Sequence, residues 1–164
     1  MIRIIKVVDR ESIVRMAENW RDWGYKIVLC NGCFDIFHAG HVLLLDHARS
    51  LGDVLVVAMN TDRSVRDLKG PGRPLCDERA RRMVVGSLEC VDRIVMFDET
   101  SATDIIKAIR PDVWVKGGDL SLDSIPPDQR EALESMGTKI VFVPLLEGYS
   151  TTMLVQKARE GQAA

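Results

Sequence analysis

Five short runs of almost unbroken Val, Ile and Leu recur along the chain, and each is followed by a segment with helical spacing. They are "KIVLCN" from Lys26, "DVLVVAMN" from Asp53, "RIVMF" from Arg93, "DVWVKGG" from Asp112 and "KIVFVPL" from Lys139. A strand wetted on one face alternates apolar with polar residues, whereas continuous apolar runs belong to strands covered on both faces. Strands of that kind separated by helices predict a doubly wound (Rossmann-like) α/β domain: a parallel sheet of about five strands with helices on both faces. The first helix is expected in "DRESIVRMAENWRDWG", with Asp9 as N-cap, Ile13, Met16 and Trp20 at helical spacing, and Gly24 at its close. Helical spacing returns from His38 to Leu51, with Gly52 as a stop, and in "CDERARRMVVGSLECV" and "SATDIIKAIR". It returns again in "PPDQREALESMG" and in the tail "STTMLVQKARE".

A chain of 164 residues suits one domain, expected to run over 1–164 with a helical lead-in at 1–25. No internal repeat, low-complexity run or linker divides it. The composition, 46% hydrophobic and 28% charged, is that of an ordinary globular protein. A net charge of −2 gives no basic field of the kind nucleic acid requires. The longest apolar runs have the length of strands, so no membrane span is expected. "MIRIIKVVDR" lacks the apolar block of a signal peptide. The expected location is therefore the cytoplasm, with the four cysteines reduced.

In sheets of this class ligands bind beyond the carboxyl ends of the strands. Four candidate motifs fall there: Asn31–His41, Asn60–Asp62, Lys116–Asp119 and Glu147–Thr152. Interleaved with the strands, they are expected to meet in one cleft.

The first of them, read from its preceding residue as "CNGCFDIFHAGH", supports two readings. Cys30 and Cys33 have the spacing of a redox pair or half a zinc site. Yet Cys30 closes a buried strand, where it fills core, and a structural zinc needs two further ligands. His38 and His41 lie at i, i+3 where a helix begins, so both rings can share one face. A helix N-terminus offers unpaired N–H groups and the positive end of the dipole, and two imidazoles add donors for phosphate. Gly40 between them leaves room for a ligand to approach. The bland alternative has one histidine capping the helix and the other packed in the core; the pairing around a glycine favours phosphate.

"NGCFDIFHAGH" resembles the signature of the HxGH nucleotidylyltransferase superfamily. The similarity continues through "LGDVLVVAMNTD", "LKGPGRP", "ARRM", "ECVDRIV", "RPDVWVKGGD" and "EGYSTT". From about Lys26 onward the chain is similar to the adenylyltransferases of bacterial heptose-phosphate synthesis, a domain often fused to a sugar kinase. The resemblance implies transfer of AMP from ATP to a sugar 1-phosphate, D-glycero-β-D-manno-heptose 1-phosphate, with release of pyrophosphate. Magnesium is implied too, held mainly by the triphosphate, with no protein ligand assigned. A homodimer is a further implication. A cytidylyl- or guanylyltransferase acting on another phosphorylated small molecule is the nearest alternative. A CxxC redox or zinc protein, and a nucleotide-binding module without catalysis, are rivals of other classes. Leu145 stands where related cytidylyltransferases carry an arginine of the cytidine site, which favours ATP over CTP.

By the same resemblance His38, His41 and Lys69 are the catalytic candidates, Lys69 reaching phosphate from a flexible "LKGPGRP" loop. Asn31, Gly32, Gly40 and the backbone N–H groups of Cys33 and Phe34 would hold phosphates. Arg81 would make a phosphate contact or a structural ion pair, and Arg73 is a weaker candidate of the same kind. Lys116, Gly117 and Gly118 would border the nucleotide, with Asp119 on a ribose hydroxyl or the magnesium shell. Ser150, Thr151 and Thr152 would offer hydroxyl and N–H groups to the triphosphate. Asp35 would orient a histidine or cap the helix that follows. No general base is needed, because a sugar phosphate is already mostly dianionic near neutral pH.

Overall fold

The computed structural model describes residues 6–118, 121–144, 146 and 148–161. All five apolar runs are strands, at Ile27–Gly32 (β2), Val54–Asn60 (β3), Arg93–Phe97 (β4), Val113–Gly117 (β5) and Lys139–Val143 (β6). A sixth strand precedes them, Val7–Val8 (β1), within the lead-in expected to be only helical. It pairs in parallel with β4, Val7 opposite Ile94 and Val8 opposite Val95. Two residues are too few for any periodicity to reveal. Among the described residues the sheet is wholly parallel, in the order β1-β4-β3-β2-β5-β6.

Helices cover both faces. Arg10–Asp22 (α1), Thr103–Ile109 (α5) and Pro127–Ser135 (α6) bury Ile13, Ile106 and Leu133 on one side. Ala39–Arg49 (α2) and Glu78–Gly86 (α4) bury Leu45 and Val85 on the other. Within β2 the side chains alternate, Ile27 and Leu29 entering the first core, Val28 and Cys30 the second. An unbroken apolar run is therefore what two cores demand. Each fully buried aliphatic side chain contributes about 1.5–3 kcal/mol.

The amino edge of the sheet is stitched by carboxylates. Asp53, Asp112 and Asp92 accept the backbone N–H groups of Lys26, Ile27 and Leu55, each at 2.7 Å. These charge-assisted bonds link neighbouring strand starts and leave the opposite edge for function. Asp62–Lys69 forms a further helix (α3), N-capped by Thr61, whose Oγ1 accepts the Ser64 N–H at 3.2 Å. Lys69 is thus the last residue of a helix and not part of the loop after it. A 3-10 turn at Leu122–Ser124 and Thr151–Glu160 (α7) complete the elements. No helix among the described residues is long and apolar enough to cross a membrane.

Candidate active site

A cavity of about 550 Å³ opens over the carboxyl ends of β2, β3 and β5, within the range of small-molecule sites. His38, His41, Lys69, Lys116, Ser150 and Thr151, drawn from widely separated motifs, line it together. Asn31, Gly32, Cys33, Phe34, Gly40 and Gly117 form its floor and walls.

His38 is the N-cap of α2: its Nδ1 accepts the Gly40 N–H at 3.1 Å. That bond leaves Nδ1 without a proton, so Nε2 carries it and acts as the donor. His41 stacks on His38 with ring centroids 3.9 Å apart and lies against Phe37 and Phe34, each at 5.2 Å. Burial, reinforced by the charges of His38 and Lys69, pushes the His41 pKa down to about 4. Burial lowers that of His38 as well. Both rings are neutral near pH 7 and serve as oriented donors, not cations. The Nδ1 of His41 is buried without a partner. Gly40 is required locally, because a Cβ there would lie 2.9 Å from Cε1 of His38.

Formal positive charge comes from Lys69 and Lys116. Lys116 is half-buried, 5.9 Å from the centroid of Trp114, and its Nζ donates to Asn31 O at 3.4 Å. Burial lowers its pKa. Trp114 donates from Nε1 to Asn31 Oδ1 at 2.8 Å, which fixes the Asn31 amide beneath the cavity. At the far side Ser150 caps α7, its Oγ accepting the Met153 N–H at 3.1 Å. Two helix N-termini therefore face the same space, an arrangement that favours an anion.

Several expected residues stand elsewhere. Arg81 is buried and does not line the cavity; Nη2 meets Asp62 Oδ1 at 2.7 Å. Its other donors reach Cys33 O at 2.6 Å, Asn60 O at 2.9 Å and Cys76 O at 3.0 Å. Of the two roles offered for Arg81, the structure supports the ion pair: four of its five N–H donors are engaged within the protein, and the side chain does not line the cavity. Asp35 neither touches a histidine nor caps α2. Its carboxylate accepts the N–H groups of Leu75 and Cys76 and the guanidinium of Arg73. Gly118 donates its N–H to Val143 O at 2.9 Å and, with the exposed Thr152, stands outside the cavity lining. Asp119 and Leu145 lie outside the described residues. Cys30 is fully buried in β2, its thiol pushed up to about 12 by burial, which identifies it as core filling.

On the α5/α6 side, Phe97, Thr100, Ile125, Pro126 and Gln129 continue the cavity. None had been singled out in the sequence. Gln129 is 7% exposed, and its Nε2 donates to Ser101 Oγ at 3.3 Å. Among the described residues its Oε1 has no donor. Nothing in the local pattern of α6 distinguishes this amide from a surface glutamine.

The model of the Cytidylyltransferase-like family matches residues 29–157. The chain belongs to this family. Individual relatives match more of it. The bifunctional protein HldE of Koribacter versatilis is 45% identical over 152 residues, covering 93% of this chain and 31% of the relative. That of Gluconobacter oxydans is 47% identical over 150 residues, 92% of this chain and 31% of the relative. The chain thus spans about a third of the curated relatives it matches. Among solved structures it is similar to the lipopolysaccharide core biosynthesis protein from Thermoplasma volcanium GSS1. The TM-score is 0.61 at 26% identity, with 77% of this chain and 100% of that one covered. A pantoate-β-alanine ligase from Francisella tularensis shares the fold, with a TM-score of 0.59 at 12% identity over 93% and 76% of the two chains. In this cytidylyltransferase-like domain both histidines, two lysines and two helix N-termini converge on one cavity.

Proposed function

We propose that this chain transfers AMP from ATP to D-glycero-β-D-manno-heptose 1-phosphate, giving ADP-heptose and pyrophosphate. The observation that carries the reading is the stacked His38–His41 pair at the N-terminus of α2, set in one cavity with the N-terminus of α7. A sugar-phosphate oxygen forms the new bond to the α-phosphorus while the bond to the bridging oxygen breaks, and that oxygen leaves with pyrophosphate. The chain's task is alignment and stabilisation of spreading charge. His38 Nε2–H, His41 and Lys69 hold the departing phosphates; the N-termini of α2 and α7 face the same charge. In-line geometry then brings the sugar phosphate from the opposite side, the α5/α6 lobe, where Gln129 Oε1 accepts a sugar hydroxyl.

The heptose and the choice of ATP come from the motif resemblance, and the similarity to HldE proteins and to a lipopolysaccharide core biosynthesis protein supports a glycan precursor. Asp35 is the one carboxylate among the described lining residues, and Arg73 already neutralises it. Among the described residues no three His, Cys, Asp or Glu side chains gather to hold a metal. Magnesium would accompany ATP as the MgATP substrate. The reaction belongs in the cytoplasm, where ATP is made, and a homodimer is the assembly the resemblance implies; sedimentation checks it.

The test is pyrophosphate release with magnesium and heptose 1-phosphate, offering ATP, CTP, GTP and UTP separately, with His41→Ala as control. ATP-dependent release that the variant loses is the expected result. Preference for CTP or GTP would correct the nucleotide and keep the chemistry. Absence of release with every nucleotide would reject the heptose.

A further inference from the structure

We propose that Asp35 is a positioning residue that holds Lys69 over the departing phosphates by latching the segment 70–76 to the β2–α2 turn. The inference rests on the proposed function, which places Lys69 on the phosphates. Asp35 lies three residues before His38, in the turn that builds the histidine side of the cavity. Its side chain is fully buried, although the residue is a carboxylate. Burial alone would raise its pKa. The Cys76 N–H, the Arg73 guanidinium and the Leu75 N–H outweigh that effect and hold it below the ordinary carboxylate range.

The three donors arrive from one place. Arg73 Nη1 lies 2.8 Å from Oδ2, while Leu75 N and Cys76 N lie 2.7 and 2.9 Å from Oδ1. All belong to the segment that leaves α3 immediately after Lys69. Between the lysine and the first donor stand Gly70 and Gly72, with φ of +88° and +85° and open space around both. The two glycines leave this connection free to turn on either side of Pro71. Arg81 fastens the same segment a second time, through Cys76 O, and fastens the β2–α2 turn through Cys33 O. The lysine is thus carried on a helix end whose onward chain is tied to the histidine turn. Lys69 stands close enough to His41 and Lys116 for its charge to depress the pKa of both. A carboxylate so fully enclosed, paired with Arg73 and bonded also to two backbone amides, is more than surface decoration.

The test is a double-variant cycle on Asp35→Asn and Lys69→Met, read as kcat and as KM for ATP. Lys69→Met is expected to lower kcat by about a hundredfold. Asp35→Asn is expected to lower kcat by about tenfold to a hundredfold, with KM for ATP changed less, because misplacement of a group acting in the transition state falls on kcat. The double variant is expected to lie within about twofold of Lys69→Met alone, since the latch has nothing left to position. Arg73→Gln, at a less enclosed position, runs the same cycle and decides the matter if Asp35→Asn does not fold. Multiplicative losses in the double variants would overturn the latch while leaving the transferase standing. Full activity of Lys69→Met would overturn it by removing its object. Wild-type protein inactive on every sugar phosphate would reject the proposed function, and the latch with it.

Discussion

The imidazoles of His38 and His41 stack at 3.9 Å with 25° between their planes, one ring capping a helix while the other is buried behind it. A proton on His41 would be poorly hydrated and would sit near the charge of Lys69. The unfolded chain protonates histidine near pH 6.5, whereas folded His41 resists to about 4. Between those values the unfolded state binds more protons, so stability present above pH 6.5 is lost as pH falls toward 4. The thermal midpoint of the wild type is expected to fall more between pH 7.5 and 5.0 than that of His41→Gln. Equal losses would show that His41 is not the group responsible.

Gly40→Ala tests the cap from the other side. The new Cβ meets Cε1 and Nδ1 of His38 at 2.9 and 3.0 Å, so the ring must swing away and give up its bond to the helix. The cap bond is worth about 1 kcal/mol of stability. Loss of kcat is expected to be larger, about a hundredfold, because the displaced Nε2–H is a phosphate donor. Pyrophosphate release and thermal unfolding, measured on one preparation, separate the two effects.

For Arg81→Met the prediction inverts. The guanidinium does not itself line the cavity, but its loss strands the carbonyls of Cys33 and Asn60 and the carboxylate of Asp62. Breaking a buried pair of this kind costs about 3–5 kcal/mol. Denaturant unfolding is expected to show that loss. A variant of wild-type stability with weakened ATP binding would make Arg81 a direct phosphate ligand after all.

Gln129→Leu preserves volume and removes the acceptor in the α5/α6 lobe. KM for the sugar phosphate is expected to rise about tenfold, the worth of one well-placed hydrogen bond. KM for ATP should not move. A rise for ATP instead would put the base in this lobe and reverse the assignment of the two sides.

Why some of this was legible in the sequence follows from the range of the forces involved. Strands β2 to β6 were readable because a sheet buried on both faces imposes its demand on every residue in the run. The histidine pair was readable because helix spacing is local. Val7–Val8 was not, since a two-residue strand exists only through its partner Ile94–Val95. Asp35 and Arg81 were misplaced or left ambiguous for a related reason. The partners of Asp35 lie 38 to 41 residues away, and those of Arg81, apart from the nearby Cys76, lie 19 to 48 away, at distances no local pattern encodes. Gln129 became visible only when α6 was seen to border the cavity.

The net charge of −2 is an average over unlike regions. Three of the acids, Asp53, Asp92 and Asp112, are held at the starts of strands, a full sheet's length from the cavity. At the other rim the two lysines stand without a carboxylate partner among the described residues, and the one acid present is matched by Arg73. A polyanion that reaches this rim therefore meets two lysines that no carboxylate offsets. Capture should slow as salt screens those two charges. The local charge a phosphate meets is thus set by which end of the sheet it approaches, and not by the net charge of the chain.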